Sequence, residues 1–302
     1  LAEAELEAGG GRRHLISLAT EHRAVLDPLR YLERHGFALT LLPVGAGGLL
    51  DPGQLEAALT PDTLLVSAMA ANNEIGVLQP LAAIGALCRS RGVAFHCDAA
   101  QAVGHISLAP RELGIDLLSL SGHKLGGPPG IGALVRVTSG LTLAPQLHGG
   151  GQQQGLRAGS LPVPLIVGLG EAVTQALADR EPRQQRLAAL RDQLWRQLVG
   201  IGGIHRNGAA APRLAHNLNV WVEGVDGAAL HSRLRRRLAV SSGSACSAGE
   251  PSHVLQALGL SRQQAAASIR FGLGADTTAE AIAEAADLVA EAVRALRQAP
   301  TG

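Results

Sequence analysis

Four short polar clusters carry residue types that could do chemistry in this 302-residue chain. They are T-E-H at Thr20 to His22, N-N-E at Asn72 to Glu74, D-A-A-Q at Asp98 to Gln101, and S-G-H-K at Ser121 to Lys124. Each follows an apolar, strand-like run. In open parallel sheets, ligands bind beyond the carboxyl ends of the strands. Four such ends on one sheet would converge on one crevice. Lys124 stands 26 residues beyond Asp98, about one crossover away, and the glycine- and proline-rich run 126–130 follows it in a tight turn. A lysine partly desolvated in such a turn loses its proton more readily and becomes a nucleophile. An Asp and a Lys that do not simply neutralise each other suit pyridoxal phosphate, where a lysine forms a Schiff base with the aldehyde and an acid keeps the pyridine nitrogen protonated. The same spacing fits a surface lysine in a glycine loop, paired with a nearby acid.

The elements that must position these clusters alternate in the first half of the chain. Residues 14–19 (HLISLA), 37–43, 63–70 (TLLVSAMA), 93–98 (VAFHCD), 115–121 (IDLLSLS) and 131–137 (IGALVRV) read as strands. Between them, residues 25–35 read as a helix closed by Gly36, and 81–91 as a helix closed by Gly92. Asp51 and Pro52 open a third, with Asp as cap and Pro at the first helical position. Strand, helix, strand at this spacing predicts right-handed crossovers and a mainly parallel sheet covered on both faces. From 163 to about 198 the pattern is helical with a break near Glu181 and Pro182. Shorter strands are predicted at 218–222, 239–242 and 268–272. A last helix runs from about 278 to 297, opened by a near capping box from Thr277 to Glu280. The division predicted is a large α/β domain over residues 1–180 and a small α+β C-terminal domain over 181–302.

Composition excludes several classes. With 46% hydrophobic residues and net charge +1, the chain is neither disordered nor short of a core. Its 26 basic against 25 acidic residues leave no excess to neutralise phosphates, and three Phe, two Trp and one Tyr make no stacking surface, so no nucleic-acid partner is expected. No apolar run approaches membrane-spanning length and no signal peptide opens the chain, so a cytoplasmic protein without a membrane partner is expected. Three cysteines, Cys88, Cys97 and Cys246, fit a reducing compartment. Cys88 on a helix and Cys97 within a strand read as packing. Cys246, in the run SSGSACSAG, reads as an exposed and reactive thiol. The arginine-rich run from Arg233 to Arg237 reads as a solvated helix face.

The runs TEHRAVL, NNEIGVLQPLAAIG, HCDAAQAVG, SGHKLGGPPGIGAL, HGGGQQQGLRAGSLPV, SSGSACSAGEPSHVLQALGL and SIRFGLG, in this order, resemble the cysteine desulfurases of the class V aminotransferase family. The resemblance extends from about His14 to the last helix. It implies the pyridoxal-phosphate-dependent transferase fold of type I, in a homodimer, with pyridoxal 5'-phosphate as cofactor and L-cysteine as substrate. It implies Lys124 as the Schiff-base lysine and Asp98 as the carboxylate on the pyridine nitrogen. Gln101 and Asn73 would hydrogen-bond the phenolic side of the cofactor, and His22 would stack on its ring. Ser121 and His123 would meet the phosphate, helped by Ser160 of a partner copy. Arg270, with Asn73, would bind the substrate carboxylate in a fork that Lys reproduces poorly. Cys246 would take the sulfur as a persulfide and pass it to an acceptor such as an iron–sulfur scaffold or a thiolation partner. No metal ligand is implied.

The chain also departs from that pattern. It opens at Leu1 rather than Met, and the stretch with which family members cradle the phosphate at a helix start is expected to lie upstream, truncated here. Residues 1–8 are read as the remnant of that helix or of its successor. Gln154 stands where the family usually has Arg, Ser160 where Thr is common, and the stretch from Cys246 to Pro251 is about two residues shorter than in long-loop members. The rival readings are another class V lyase or aminotransferase, against which Cys246 in its SSGSAC setting argues, and a non-catalytic truncated homologue. His22 taken alone is more often a helix cap or a core residue than a ring stacker; its place in T-E-H reverses that weighting.

Overall fold

The structure, a computed structural model, describes residues 1–241 and 251–298. It divides into two compact units: residues 1–42, 50–71 and 79–179 form the first, and residues 43–49, 72–78 and 180–302 the second.

The first unit contains α1 (Ala2–Glu7), β1 (His14–Leu18), α2 (Arg23–Glu33), β2 (Ala38–Leu42), α3 (Pro52–Ala58), β3 (Thr63–Met69), α4 (Leu81–Arg91), β4 (Ala94–Asp98), β5 (Leu117–Ser121), β6 (Gly132–Arg136) and α5 (Val163–Ala178). The sheet order is β2-β1-β3-β4-β5-β6. All neighbours are parallel except β5 and β6. β1 is buried along its whole length, as expected of a parallel strand covered on both faces. Local chemistry sets the helix ends. The Asp51 carboxylate accepts the Gly53 N–H at 2.9 Å, and Gly92 closes α4 with φ of 62°.

The second unit contains α6 (Arg180–Val199), β7 (Ile204–Arg206), β8 (Asn217–Val222), α7 (Gly227–Leu234), α8 (His253–Ala257), α9 (Arg262–Ala266), β9 (Ser268–Gly272) and α10 (Ala279–Gln298). β7, β8 and β9 form an antiparallel sheet in that order. Leu187, Leu190, Leu194 and Leu198 of α6, with Ile282, Ala286, Val289 and Val293 of α10, recur every three or four residues and bury one face of each helix. They pack with Leu218, Val220, Ile269 and Phe271 of the sheet. A second cluster joins Val44, Ile75 and Val77, from the two early stretches, to Val254, Leu255 and Leu258.

Four local expectations are corrected. Residues 239–241 do not form a strand, and residue 242 of that expectation lies outside the described residues: Ser241 makes a single bridge to Arg270, and the chain before it is still turning out of α7, with the Leu238 N–H on the Leu234 carbonyl. The helical break falls at Asp179, because Pro182 sits in the first turn of α6, where its missing N–H costs nothing. Thr278, not Thr277, caps α10, accepting the Ala281 N–H at 3.2 Å, while Thr277 accepts from Gly274. Finally, α7 ends at Leu234, so Arg235, Arg236 and Arg237 follow its carboxyl end, exposed, where cations suit the helix dipole. Among the described residues, no helix is long and apolar enough to cross a membrane.

Candidate active site

Within the first unit, T-E-H, D-A-A-Q and S-G-H-K follow β1, β4 and β5, and β3 lies between β1 and β4. These four strands run parallel, so their polar ends share one edge of the sheet. N-N-E follows β3 in sequence, and its residues belong to the second unit.

Asp98 closes β4, paired in register with Met69 on one side and Ser119 on the other. It is half-buried, and its Oδ1 accepts the Ala100 N–H at 2.9 Å, which fixes the carboxylate at the strand end. His96 shares its face of the strand, two residues back. The His96 ring sits between Ser67 Oγ at 2.8 Å and Ser119 Oγ at 3.1 Å. Burial pushes its pKa down, against the pull of Asp98. Glu21 is fully buried and accepts the Met69 N–H through Oε1 at 2.6 Å. Burial pushes its carboxyl well above the usual range, Asp98 adds to the push, and the Met69 N–H opposes it. Neither His96 nor Glu21 carries a role in the sequence reading. Period-two alternation with Asp98 is the signal for His96; for Glu21 only its place in the cluster was available.

His22 is the N-cap of α2: its Nδ1 accepts the Ala24 N–H at 3.1 Å, which leaves the ring proton on Nε2. Lys124 lies in a single 3-10 turn over Gly122–Leu125, closed by Gly126 at φ of 79°. It is exposed rather than partly desolvated. A side chain at Gly122 would meet Ile131 and the Pro128 carbonyl at about 3 Å, so glycine there lets the turn fold against the following loop. Ser121 Oγ and His123 Nδ1 are 2.9 Å apart. Gln101 is half-buried, and Ser160 is exposed after a loop in which Gln153 and Gln154 take left-handed φ of 53° and 60°. Non-glycine residues in that region are strained.

In the second unit, Asn73 and Arg270 are brought together: Arg270 Nη1 donates to the Asn73 carbonyl at 2.9 Å. Cys246 lies outside the described residues. Cys88 and Cys97 are both buried.

An amine at a turn, a carboxylate at a neighbouring strand end, and a hydroxyl–imidazole pair beside that amine form a donor set that suits pyridoxal phosphate. They match its aldehyde, its pyridine nitrogen and its phosphate in turn. A profile of the aminotransferase class-V family matches residues 3–284. The chain is 47% identical over 289 residues to a protein named cysteine desulfurase IscS from Shewanella baltica (strain OS223), covering 95% of this chain and 71% of that protein. Among solved structures, a NifS-like protein superposes with a TM-score of 0.89 at 32% identity, over 98% of this chain and 78% of that one. Another, described as SspA in complex with cysteine, superposes with a TM-score of 0.76 at 36% identity, over 89% and 76%. With two polar-ended strands flanking Asp98 and nearly the whole chain matched, the protein belongs to the cysteine desulfurases of the class-V aminotransferase family.

Proposed function

We propose that this chain is a pyridoxal-phosphate-dependent cysteine desulfurase that converts L-cysteine to L-alanine and leaves the sulfur as a persulfide on Cys246. The observation that carries this reading is the shared edge of the parallel sheet, where Asp98 ends one strand and Lys124 follows its neighbour, in a chain so similar to cysteine desulfurases.

Bound pyridoxal phosphate supplies an aldehyde for the substrate amine and an electron-withdrawing ring that accepts the charge left at the α-carbon. Lys124 would hold the group covalently through Nζ and, with the same atom, would take and return the substrate's α-proton. Asp98 holds a proton at the pyridine nitrogen. His22, its Nδ1 committed to α2, presents a fixed ring face for stacking. Ser121 and His123 bind the phosphate, with Ser160 of a second copy; Gln101 and Asn73 meet the phenolic side, and Arg270 takes the substrate carboxylate. The Cys246 thiolate attacks the substrate sulfur: the S–S bond forms, the C–S bond breaks, and its electron pair ends in the C–H bond of alanine. Thiol plus cysteine gives persulfide plus alanine, with no outside oxidant.

The finer reading is a cytoplasmic homodimer that hands sulfur to an iron–sulfur scaffold or thiolation partner. Self-association is supported by α5, whose Val163 and Val167 are 59% and 65% exposed, with Ile166 and Leu177 also open.

The test loads the chain with pyridoxal phosphate, reduces with borohydride and maps the labelled peptide. Lys124 alone is expected to carry the label. Lys124→Ala should lower alanine production by about 10²–10⁴-fold or more with the fold intact by circular dichroism, and Cys246→Ser should form no persulfide. Labelling at another position, or full alanine release from Lys124→Ala, overturns the reading.

A further inference from the structure

Glu74 is a buried carboxylate that the proposed reaction does not use. Its backbone is locked. Asn72 Oδ1 accepts the N–H groups of Glu74 and Ile75 at 2.8 and 3.0 Å, and the Glu74 carbonyl accepts Nδ2 of Asn217 and Asn219 at 3.3 and 3.0 Å. A side chain at Gly76, with φ of 74°, would strike Asn217 at 2.7 Å, so the turn packs against β8 only with glycine there. The carboxyl itself accepts the Ser252 hydroxyl. Ser252 is the N-cap of α8, and its Oγ also accepts the Leu255 N–H at 3.1 Å, so its one proton is committed to Glu74.

Arg270 reaches the residue before Glu74. Its main chain is pinned to Ser241, with N···O distances of 2.8 and 3.3 Å. Nη1 is held on the Asn73 carbonyl, next to Glu74, and the rest of the guanidinium fork meets no acceptor among the described residues. The positive charge of Arg270 on β9 pulls the Glu74 carboxyl toward its charged form across more than ion-pair distance. Arg213, before β8, reaches the neighbouring Ile75 carbonyl at 2.9 Å, Ser252 comes from α8 with His253 after it, and Asn217 and Asn219 from β8 are neutral. Burial pushes the Glu74 carboxyl up to about 7, while the Ser252 hydroxyl and Arg270 pull it down. It therefore changes charge near neutrality.

We propose that Glu74 is a positioning residue for Arg270: its carboxylate and that of the amino-acid substrate compete for one guanidinium, and substrate capture at Arg270 is accompanied by uptake of a proton from solvent onto Glu74. This rests on the reading of Arg270 as the substrate-carboxylate residue. Below the pKa of Glu74 the guanidinium faces a neutral acid and is available to the substrate. Above it, an internal anion already occupies the field of Arg270. Affinity for the substrate carboxylate falls as pH rises through about 7 and levels off on either side.

The test uses the full chain loaded with pyridoxal phosphate and L-alanine, a thiol-free amino acid, as the probe. Calorimetry in two buffers of different ionisation heat gives the protons taken up on binding. The parent is expected to take up more than Glu74→Gln, which keeps an acceptor for Ser252 without the charge. The parent should also lose about fivefold more affinity than Glu74→Gln between pH 6 and 8, the share of a one-unit upward shift from about 7 that falls inside that window. Carbon-13 carboxyl NMR of the parent gives an answer that does not depend on the variant folding: the Glu74 titration should move upward when L-alanine is added. Arg270→Lys separates the two layers. If it binds L-alanine as the parent does, the reading of Arg270 fails; if it loses binding while the Glu74 titration of the parent ignores L-alanine, the present proposal alone fails.

Discussion

Two thiols are sealed into the parallel-sheet unit, Cys88 on α4 and Cys97 on β4. Burial pushes the Cys88 thiol up to about 12, with Asp116 adding to it; burial and then Glu21 and Asp98 push Cys97 up as well. At pH 8 a thiol of that kind is thiolate in only about one molecule in ten thousand, and the thiolate is the reactive form. In the native chain a disulfide reagent should therefore modify one thiol, that of Cys246, within minutes, and Cys88 and Cys97 only after denaturant. Peptide mapping checks the assignment, and rapid native labelling of Cys88 or Cys97 would refute it. The same contrast explains what could be read at this scale. Asp98, Ser121 and Lys124 were legible because each breaks an apolar run at its end. Glu21, Glu74 and His96 lay in the same runs, yet their properties come from burial by distant segments, Met69 over Glu21 and Ser252 over Glu74.

Among the elements, α7 shows how a glycine can mark close packing rather than weak helix. Its first residue, Gly227, has no room for a side chain, since a Cβ there would lie 2.1 Å from the carbonyl oxygen of Ala266, the last residue of α9. Gly170 in α5 has nothing within 4 Å of the same position. Alanine is favoured over glycine in a helix interior by about 1 kcal/mol, so Gly170→Ala should stabilise the chain by roughly 0.5–1 kcal/mol. Gly227→Ala must move backbone, which typically costs about 1–3 kcal/mol, and should destabilise despite its better propensity. Denaturant titration of the two variants reads both signs, and a stabilised Gly227→Ala would sink the packing argument. Long elements were legible from their periodicity and caps, as with α4 between Leu81 and Gly92. β7, α7, α8 and α9 span three to eight residues, too few for a period to declare itself. Their positions are set by what they pack on.

At the scale of the whole molecule, the linear division near residue 180 misses that the second unit also owns residues 43–49 and 72–78. Those stretches look like connecting loops because their apolar residues, Val44, Ile75 and Val77, are few and share a cluster with residues far along the chain, Val254, Leu255, Leu258 and Ala265. That interleaving has a consequence for synthesis. The ribosome releases Ile75 and Val77 roughly 180 residues before the partners that bury them, an interval of about 10–40 s at 5–20 residues per second. Through that wait the chain displays an apolar turn that lacks the late-made part of its cluster, a target for proteases and for holdase chaperones. A nascent chain stalled at about residue 240 should be cut within 72–78, and the completed chain should resist. Equal protection in both would mean that the turn finds early shelter. The order in which this chain is written thus makes one of its most deeply buried turns, for many seconds, one of its most vulnerable.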